Sequence, residues 1–152
     1  MKLSRESRYA VEGLMVLAER SLQVPIQLRD IAEAAQVPAN FLSKIFQKLK
    51  RAKILSSSRG GVRGYALARH PKTISMADVF TAVEGSDVFD RCIFWSDRCD
   101  DCSPCPIHSE WIRMRQLIIA LMQKITLADL AKAEPAHRVV KSRPRSRGGL
   151  SQ

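Results

Sequence analysis

Long hydrophobic runs are missing from this sequence. Nowhere do its 152 residues approach the about 18 uninterrupted apolar residues that a membrane-spanning helix needs, which excludes a transmembrane protein. Charged residues recur through the first eight positions, and Glu12 interrupts the apolar stretch that follows, so we expect no signal peptide and a cytoplasmic location. With 45% hydrophobic residues, the chain is too apolar to be disordered and is long enough for one packed domain.

Acidic residues are scarce in the N-terminal half. Residues 1–75 contain 14 Lys+Arg against 5 Asp+Glu, which gives +9, whereas residues 76–110 carry −6 and residues 111–152 carry +7. A strongly basic half suits the phosphate backbone of a nucleic acid, and an acidic stretch would be repelled by the same polymer. The charge distribution therefore predicts two separate roles, with nucleic-acid binding assigned to the basic half.

Two helices joined by a tight turn are predicted within the basic half. Apolar residues recur at helical spacing over residues 4–20, 28–35 and 38–52. Pro38 follows the turn and suits the first position of the third helix, since a proline there loses no helical hydrogen bond. The apolar stripe expected for this helix consists of Phe41, Leu42, Ile45, Phe46 and Leu49. The pair is typical of a helix-turn-helix unit, whose second helix fits the major groove of DNA.

A short β-hairpin is predicted directly after the third helix. Residues 54–58 and 65–67 are typical of strands, and the glycine-rich residues between them are typical of a turn. Arg59 and Arg63 lie in that turn, where they are placed to meet phosphates or a narrow minor groove. A hairpin that carries arginines without any ligand is the alternative. The fold predicted is mostly α with a small β-wing, a winged helix-turn-helix DNA-binding domain over residues 1–70.

The outward-facing polar residues of the third helix, together with the wing arginines, are the candidate DNA contacts. Those near the start of the helix are candidates for contact with base edges, namely Asn40, Ser43, Lys44 and Gln47. The others are expected to contact mainly the DNA backbone or the minor groove, namely Lys48, Arg51, Arg59 and Arg63.

A long dimerisation helix is predicted over residues 106–125. Its heptad positions are apolar and consist of Trp111, Met114, Ile118, Leu121 and Ile125. We therefore expect it to pack on its own domain and on a second subunit, which makes a homodimer and predicts a palindromic double-stranded DNA operator. A central core helix in a monomer is the alternative. Residues 134–152 are basic and rich in proline and glycine, and we expect a disordered tail there.

A group of potential metal ligands occupies 17 positions of the acidic stretch. It consists of Cys92, Cys99, Cys102, Cys105 and His108. Cysteines in a reducing compartment are poor candidates for disulfides, so the clustering indicates a metal or redox site. Thiolates and imidazole bind both zinc and iron–sulfur clusters, and ligand type alone does not select the metal. The second ligand pair of structural zinc is missing, and Ser109 replaces the fourth cysteine of a bacterial ferredoxin.

Taken together, these motifs resemble the winged-helix iron–sulfur transcription regulators, the family that includes IscR, NsrR and RirA. The similarity covers nearly the whole chain. It includes a three-cysteine loop before a long dimerisation helix, and the motifs Met1-Lys2-Leu3-Ser4, Arg8-Tyr9-Ala10-Val11, Arg59-Gly60 and Gly64-Tyr65. It implies a 2Fe-2S or 4Fe-4S cluster whose ligands are Cys92, Cys99 and Cys105, with either His108 or Cys102 as the fourth. Residues 71–133 would then carry the cluster-binding loop and the dimerisation helices.

The sequence departs from this family at four positions. Arg8 stands where two branches of the family have an acidic cluster ligand, and a cation cannot ligate iron. Glu33 stands where the redox-sensing one of those branches has a histidine. Cys102 is additional to the three expected thiols, and Arg63 interrupts the glycine run of the wing. These departures disfavour the nitric-oxide and redox-sensing branches.

The function predicted is that of a DNA-binding transcription regulator that senses iron, cluster supply or redox state through a bound iron–sulfur cluster. One alternative is a zinc-stabilised or cluster-free winged-helix regulator. An enzyme with Cys105 or Cys102 as nucleophile and His108 as base is the alternative of another class. It is disfavoured because the sequence lacks a phosphate-cradling loop and a second catalytic constellation, and we expect no enzymatic activity.

Overall fold

The order of helices and strands is that of a winged helix-turn-helix protein. The structure, a computed structural model, describes residues 4–20, 24–58, 63–92, 102 and 104–132. In chain order the elements are α1 (Arg5–Ala18), α2 (Leu28–Ala35), α3 (Ala39–Arg51), β1 (Leu55–Ser58), β2 (Gly64–Leu67), a 3-10 turn (Pro71–Thr73), α4 (Met76–Glu84), α5 (His108–Lys124) and α6 (Leu127–Lys132). The mostly helical fold with a β-wing is confirmed. Arg59, Cys99 and the predicted tail lie outside the described residues, and none of the described helices is long and apolar enough to cross a membrane.

Helix α1 contacts α2, α3, α4 and α6, and one of its glycines lies directly against α3. Gly13 lies at the crossing of these two helices. A Cβ atom built on Gly13 would lie 2.9 Å from both Leu42 Cδ1 and Phe46 Cε1, and both of these side chains are fully buried. The two helices therefore pack this closely because residue 13 has no side chain.

The turn between α2 and α3 has the geometry that a helix-turn-helix unit needs. Gln36 ends α2 in the left-handed conformation, with φ of 55°. Val37 is buried beneath the turn, and its N–H donates to the carbonyl of Ala32 at 2.9 Å. Pro38 caps α3 instead of serving as its first residue, which is Ala39.

Four residues of the predicted apolar stripe on α3 are buried, namely Leu42, Ile45, Phe46 and Leu49. The prediction was wrong for Phe41, whose side chain is 50% exposed. Its ring lies 6.5 Å from the ring of Tyr9 on α1, measured between centroids. Since each helical residue is rotated by about 100° from the last, Phe41 falls at the border between the core side and the solvent side of α3.

The wing is attached to the helices by a bridge that the sequence does not predict. Strands β1 and β2 pair antiparallel, with Leu55 opposite Leu67. Tyr65 also exchanges two backbone hydrogen bonds with Ile26, of 2.8 and 3.0 Å, in the segment before α2. A Cβ atom on Gly64 would lie 2.6 Å from the carbonyl oxygen of Ile26, so only glycine permits this approach. The wing and the helix-turn-helix unit are therefore held together by backbone contacts.

Helices α4, α5 and α6 pack against the N-terminal part of the chain. Ser75 and Asp78 form the capping box predicted at the start of α4. The N–H of Met76 donates to the carbonyl of Ile125 at 2.9 Å, which joins the start of α4 to the end of α5. Helix α5 contacts α4, and α6 contacts α1. The long helix is thereby fixed to the same core as the helix-turn-helix unit.

The start of α1 and the end of α4 meet at Glu84. Ser4 caps α1, because its side-chain oxygen accepts hydrogen bonds from the N–H groups of Glu6 and Ser7. Glu84 Oε1 accepts hydrogen bonds from the Ser4 N–H at 2.9 Å and from Ser7 Oγ at 2.5 Å. Burial raises the pKa of Glu84, but these hydrogen bonds and the charge of Arg91 outweigh it, and the pKa lies below its ordinary value. The ionised carboxylate thus ties the two helices together.

We expect Gly13→Ala to lower the free energy of unfolding by about 1–3 kcal/mol, because the new methyl group would overpack against two buried side chains. Urea denaturation of wild type and variant measures the difference. In a helix without this contact, the same change would stabilise the protein by roughly 0.5–1 kcal/mol, because glycine is a poor helix former. A stabilised variant would therefore contradict the close approach of α1 and α3.

We expect Glu84→Gln to lower the free energy of unfolding by about 1 kcal/mol at neutral pH, since the part-exposed carboxylate loses charge-assisted hydrogen bonds. The pKa of Glu84 is lower in the folded state than in the unfolded state. Its contribution is therefore complete above the unfolded pKa and is lost as the pH falls through the folded one. Urea denaturation between neutral pH and about pH 3 measures this loss.

The exposed Glu33 on α2 provides the matched control, because Glu33→Gln removes the same charge without these hydrogen bonds. Its effect on unfolding should stay near zero throughout the titration. A Glu84→Gln deficit that stays constant down to acid pH would mean that the charge of Glu84 has no part in joining α1 to α4.

Candidate DNA interface and metal centre

The solvent side of α3 is polar and basic, and α3 contains no acidic residue. Of the predicted DNA contacts on it, Asn40, Lys44, Gln47 and Arg51 are exposed, and Ser43 is half-buried beside them. Their spacing of three to four residues places them along one face of the helix. Arg63, directly before β2, is also exposed. This face presents amide, hydroxyl, ammonium and guanidinium groups, which are the groups that contact base edges and phosphates.

Lys48 is placed differently from its neighbours on α3. The sequence predicts that it contacts the DNA backbone, but the side chain is half-buried within the protein. Its Nζ donates to Glu6 Oε2 at 2.7 Å and to the carbonyl of Val83 at 3.0 Å. Lys48 therefore joins α3 to both α1 and α4. Its partners are 42 and 35 positions away, and no local pattern indicates contacts over that distance.

The carbonyl end of α4 accepts hydrogen bonds from two positively charged side chains. The Val83 carbonyl accepts from Lys48, and the Glu84 carbonyl accepts from Arg91 Nη2 at 3.0 Å. Asp87 orients Arg91 through two contacts of 3.1 and 3.2 Å. The last turn of a helix carries partial negative charge, which stabilises both cations. We call Lys48, Val83, Glu84 and Arg91 the α4 junction. It brings α3 and the residue before Cys92 to the same helix end.

The two ends of the cysteine segment, residues 92–105, are held beside α5. Asp90, two residues before Cys92, accepts a hydrogen bond on its carbonyl from Arg115 of α5 at 3.3 Å. The carbonyl of Cys105 accepts the N–H of His108 at 2.9 Å, where α5 begins. Since a helix rises about 1.5 Å per residue, both ends lie along the first turns of α5.

The predicted metal ligands are described only in part. Cys92, Cys105 and His108 are half-buried, Cys102 is exposed, and Cys99 lies outside the described residues. The three described cysteines are thiols and not disulfides. Within the described part of the chain, no three His, Cys, Asp or Glu side chains come together as a metal site.

Helix α5 leaves an apolar stripe exposed. Its members Met114, Leu117 and Leu121 are 56%, 72% and 49% exposed. The heptad positions predicted for the dimer are divided, because Trp111 is buried and Ile125 packs against the core of its own chain. A heptad pattern does not distinguish the side of a helix that packs within the chain from the side left for another molecule. Leu117, outside the predicted set, is the most exposed of the three.

Proteins with this architecture are known. The Rrf2 family, described as an iron-dependent transcriptional regulator, matches residues 3–133. The putative HTH-type transcriptional regulator ORF2 of Azotobacter vinelandii is 33% identical over 150 residues, which cover 98% of this chain and 90% of the relative. The HTH-type transcriptional regulator IscR of Vibrio campbellii is 33% identical over 132 residues, which cover 87% of this chain and 78% of the relative.

Solved structures give the same result. CymR, the global cysteine regulator of B. subtilis, superposes with a TM-score of 0.73 at 27% identity over 88% of this chain and 98% of CymR. IscR of T. potens superposes with a TM-score of 0.68 at 31% identity over 90% of each chain. The winged-helix fold, the family match over most of the chain and the relatives at one-third identity lead to one conclusion: this chain belongs to the Rrf2 family of DNA-binding transcriptional regulators.

Proposed function

We propose that this protein is a homodimeric regulator whose binding to a palindromic operator responds to an iron–sulfur cluster. Residues 1–70 bind DNA through α3 and the wing, and residues 71–133 hold the cluster and the dimer contact. The iron dependence in the description of the Rrf2 family and the similarity to IscR proteins support this proposal. When bound, a 2Fe-2S or 4Fe-4S cluster supplies a redox-active group whose presence depends on iron and sulfide.

The chemistry of the donors suits such a cluster. Cys92, Cys99 and Cys105 supply three thiolates, and either His108 or Cys102 supplies the fourth ligand. Both ends of the cysteine segment lie beside the first turns of α5. Metal–thiolate bonds would join donors from different positions of this segment, so that cluster binding and the arrangement of the segment would be linked.

The α4 junction is the observation that carries this proposal. Arg91 directly precedes Cys92 and binds the Glu84 carbonyl, while Lys48 of α3 binds the preceding carbonyl. A ligand bond at Cys92 would restrict the backbone next to Arg91, so cluster binding would favour one position of Arg91 at the end of α4. The orientation of α3 and the occupancy of the cysteine segment would thereby be coupled through one helix end.

We expect Cys92→Ala to lack the visible absorbance that wild type shows after anaerobic purification, because one thiolate ligand is lost. Duplexes selected from a random DNA library with the wild-type protein provide the operator. Operator affinity should differ by about 5- to 100-fold between loaded and chelator-stripped wild type, which is the usual range of allosteric coupling. Cys92→Ala should bind like the stripped protein. Arg91→Gln should keep its absorbance while the two affinities become nearly equal.

Arg113→Gln is the matched control for Arg91→Gln, because Arg113 is exposed on α5 and pairs with Glu110 only among the described contacts. It should keep both the absorbance and the difference in affinity. Metal analysis that finds zinc without visible absorbance would contradict the cluster. If loaded wild type, stripped wild type and Cys92→Ala all bind the operator with equal affinity, the proposed sensing is contradicted.

The exposed stripe of α5 is the surface proposed for the homodimer. Half of the large exposed hydrophobic side chains in the described part of the chain belong to it, namely Met114, Leu117 and Leu121. Their spacing of three and four residues forms one continuous row that Ile118 widens. A second copy of the same helix would bury this row, and the two-fold symmetry of the pair would require a palindromic operator.

We expect Leu117→Asp to give a monomer, because a carboxylate at the centre of an apolar contact between subunits would be desolvated without a partner. The fold should survive, since the side chain is 72% exposed within the chain. Sedimentation velocity measures the mass. Gln116→Asp introduces the same charge on the adjacent exposed position and should leave the dimer intact. A dimeric Leu117→Asp would refute this interface.

A further inference from the structure

Phe41 is the exposed aromatic side chain of the described part of the chain. It is 50% exposed, whereas the other described aromatic residues are buried or half-buried. Helix α3 buries its core side with four other residues, and the core does not need Phe41. A single exposed apolar side chain is common on protein surfaces, so the exposure of Phe41 alone does not assign a ligand. Its position on α3 and its neighbours are what point to a contact outside the chain.

Phe41 lies near the N-terminus of α3, just after the turn of the helix-turn-helix unit. It is the third residue of α3, next to Asn40 and three residues before Lys44, so it borders the polar face described above. In a helix-turn-helix unit the first residues of the second helix meet the base edges. The ring of Phe41 is placed to reach the major groove together with Asn40 and Lys44.

The ring of Phe41 is supported from behind by α1. Tyr9 lies 6.5 Å away with an interplanar angle of 57°, and the guanidinium of Arg8 lies 5.5 Å from the centre of the Tyr9 ring. These contacts limit the orientations that Phe41 adopts, so less conformational entropy is lost when a ligand covers its open side. A pre-oriented ring of this kind suits recognition at one defined position.

We propose that Phe41 reads thymine by contact with its C5-methyl group at one position in each half of the operator. The methyl group of thymine is the apolar group that base pairs present in the major groove, and phenylalanine is among the side chains that contact it. The charge of the surrounding surface selects this occupant, because α3 carries Lys44, Lys50 and Arg51 and no carboxylate. The inference rests on the proposed placement of α3 in the major groove.

The test removes the methyl group from the DNA and the ring from the protein. In operator duplexes selected with the full-length wild-type protein, each thymine is replaced in turn by deoxyuridine, which keeps every hydrogen-bonding group. Replacing the contacted thymine of a single half-site should weaken wild-type binding about fourfold, the factor that corresponds to one buried methyl group. Phe41→Ala should bind the thymine and uracil duplexes with equal affinity, so that the two changes are fully coupled.

Two control variants separate the possible failures. Val24→Ala shortens another exposed apolar side chain, outside the two helices of the unit, and should keep the wild-type preference for thymine. Gln47→Ala tests the placement of α3 and should alter the preference at some base pair. If Gln47→Ala alters base preference and Phe41→Ala discriminates thymine from uracil as wild type does, this inference fails alone. If neither variant changes any preference, the placement of α3 fails as well.

Two further outcomes would also overturn the inference. In the first, no thymine-to-uracil replacement weakens the binding of wild type. In the second, Phe41→Ala changes the sedimentation of the free protein, which would mean that a second subunit covers the ring and not DNA. Chemical denaturation of Phe41→Ala checks that the fold is intact, and the half-exposed ring makes a large loss of stability unexpected.

Discussion

The carbonyl end of α4 stabilises two positive side chains that come from different parts of the chain. Lys48 reaches this end from α3, and Arg91, the residue before Cys92, reaches it from the other side of the sequence. Glu84, at the same end, accepts a hydrogen bond from the start of α1. The partial negative charge of the helix end stabilises both cations, and each of them also pairs with a carboxylate, Lys48 with Glu6 and Arg91 with Asp87. The relative placement of α1, α3 and the cysteine segment depends on this shared helix end.

Local features of the fold were predictable from the sequence. Ser75 and Asp78 are three positions apart, and the capping box they form depends on that spacing alone. The positions of α1, α3 and α5 follow from apolar periodicity, which is also a local property, although their predicted bounds differ from the observed ones by one or two residues. Phe41 shows where this reasoning ends, because periodicity gives the direction of a buried face but not its width. That width depends on how much of α3 is covered by α1.

Contacts between distant parts of the chain were not predictable in the same way. The bridge between Ile26 and Tyr65 and the crossing at Gly13 depend on how the elements pack, and a single sequence holds no spacing that encodes them. The candidate metal ligands were predictable in part. Their chemical identity is visible in the sequence, whereas their arrangement depends on the path of the chain between Cys92 and Cys105.

The anchoring of the cysteine segment to α5 has a consequence for how this family can vary. Asp90 is tied to α5 on one side of the segment, and Cys105 leads directly into that helix on the other. The distance that the segment must span is therefore set by α5 and not by the number of residues it contains. Because the entropy of closing a loop grows only with the logarithm of its length, insertions and deletions between these anchors cost little stability. The number of residues between these anchors can accordingly vary without a change in the packing of α3 and the wing.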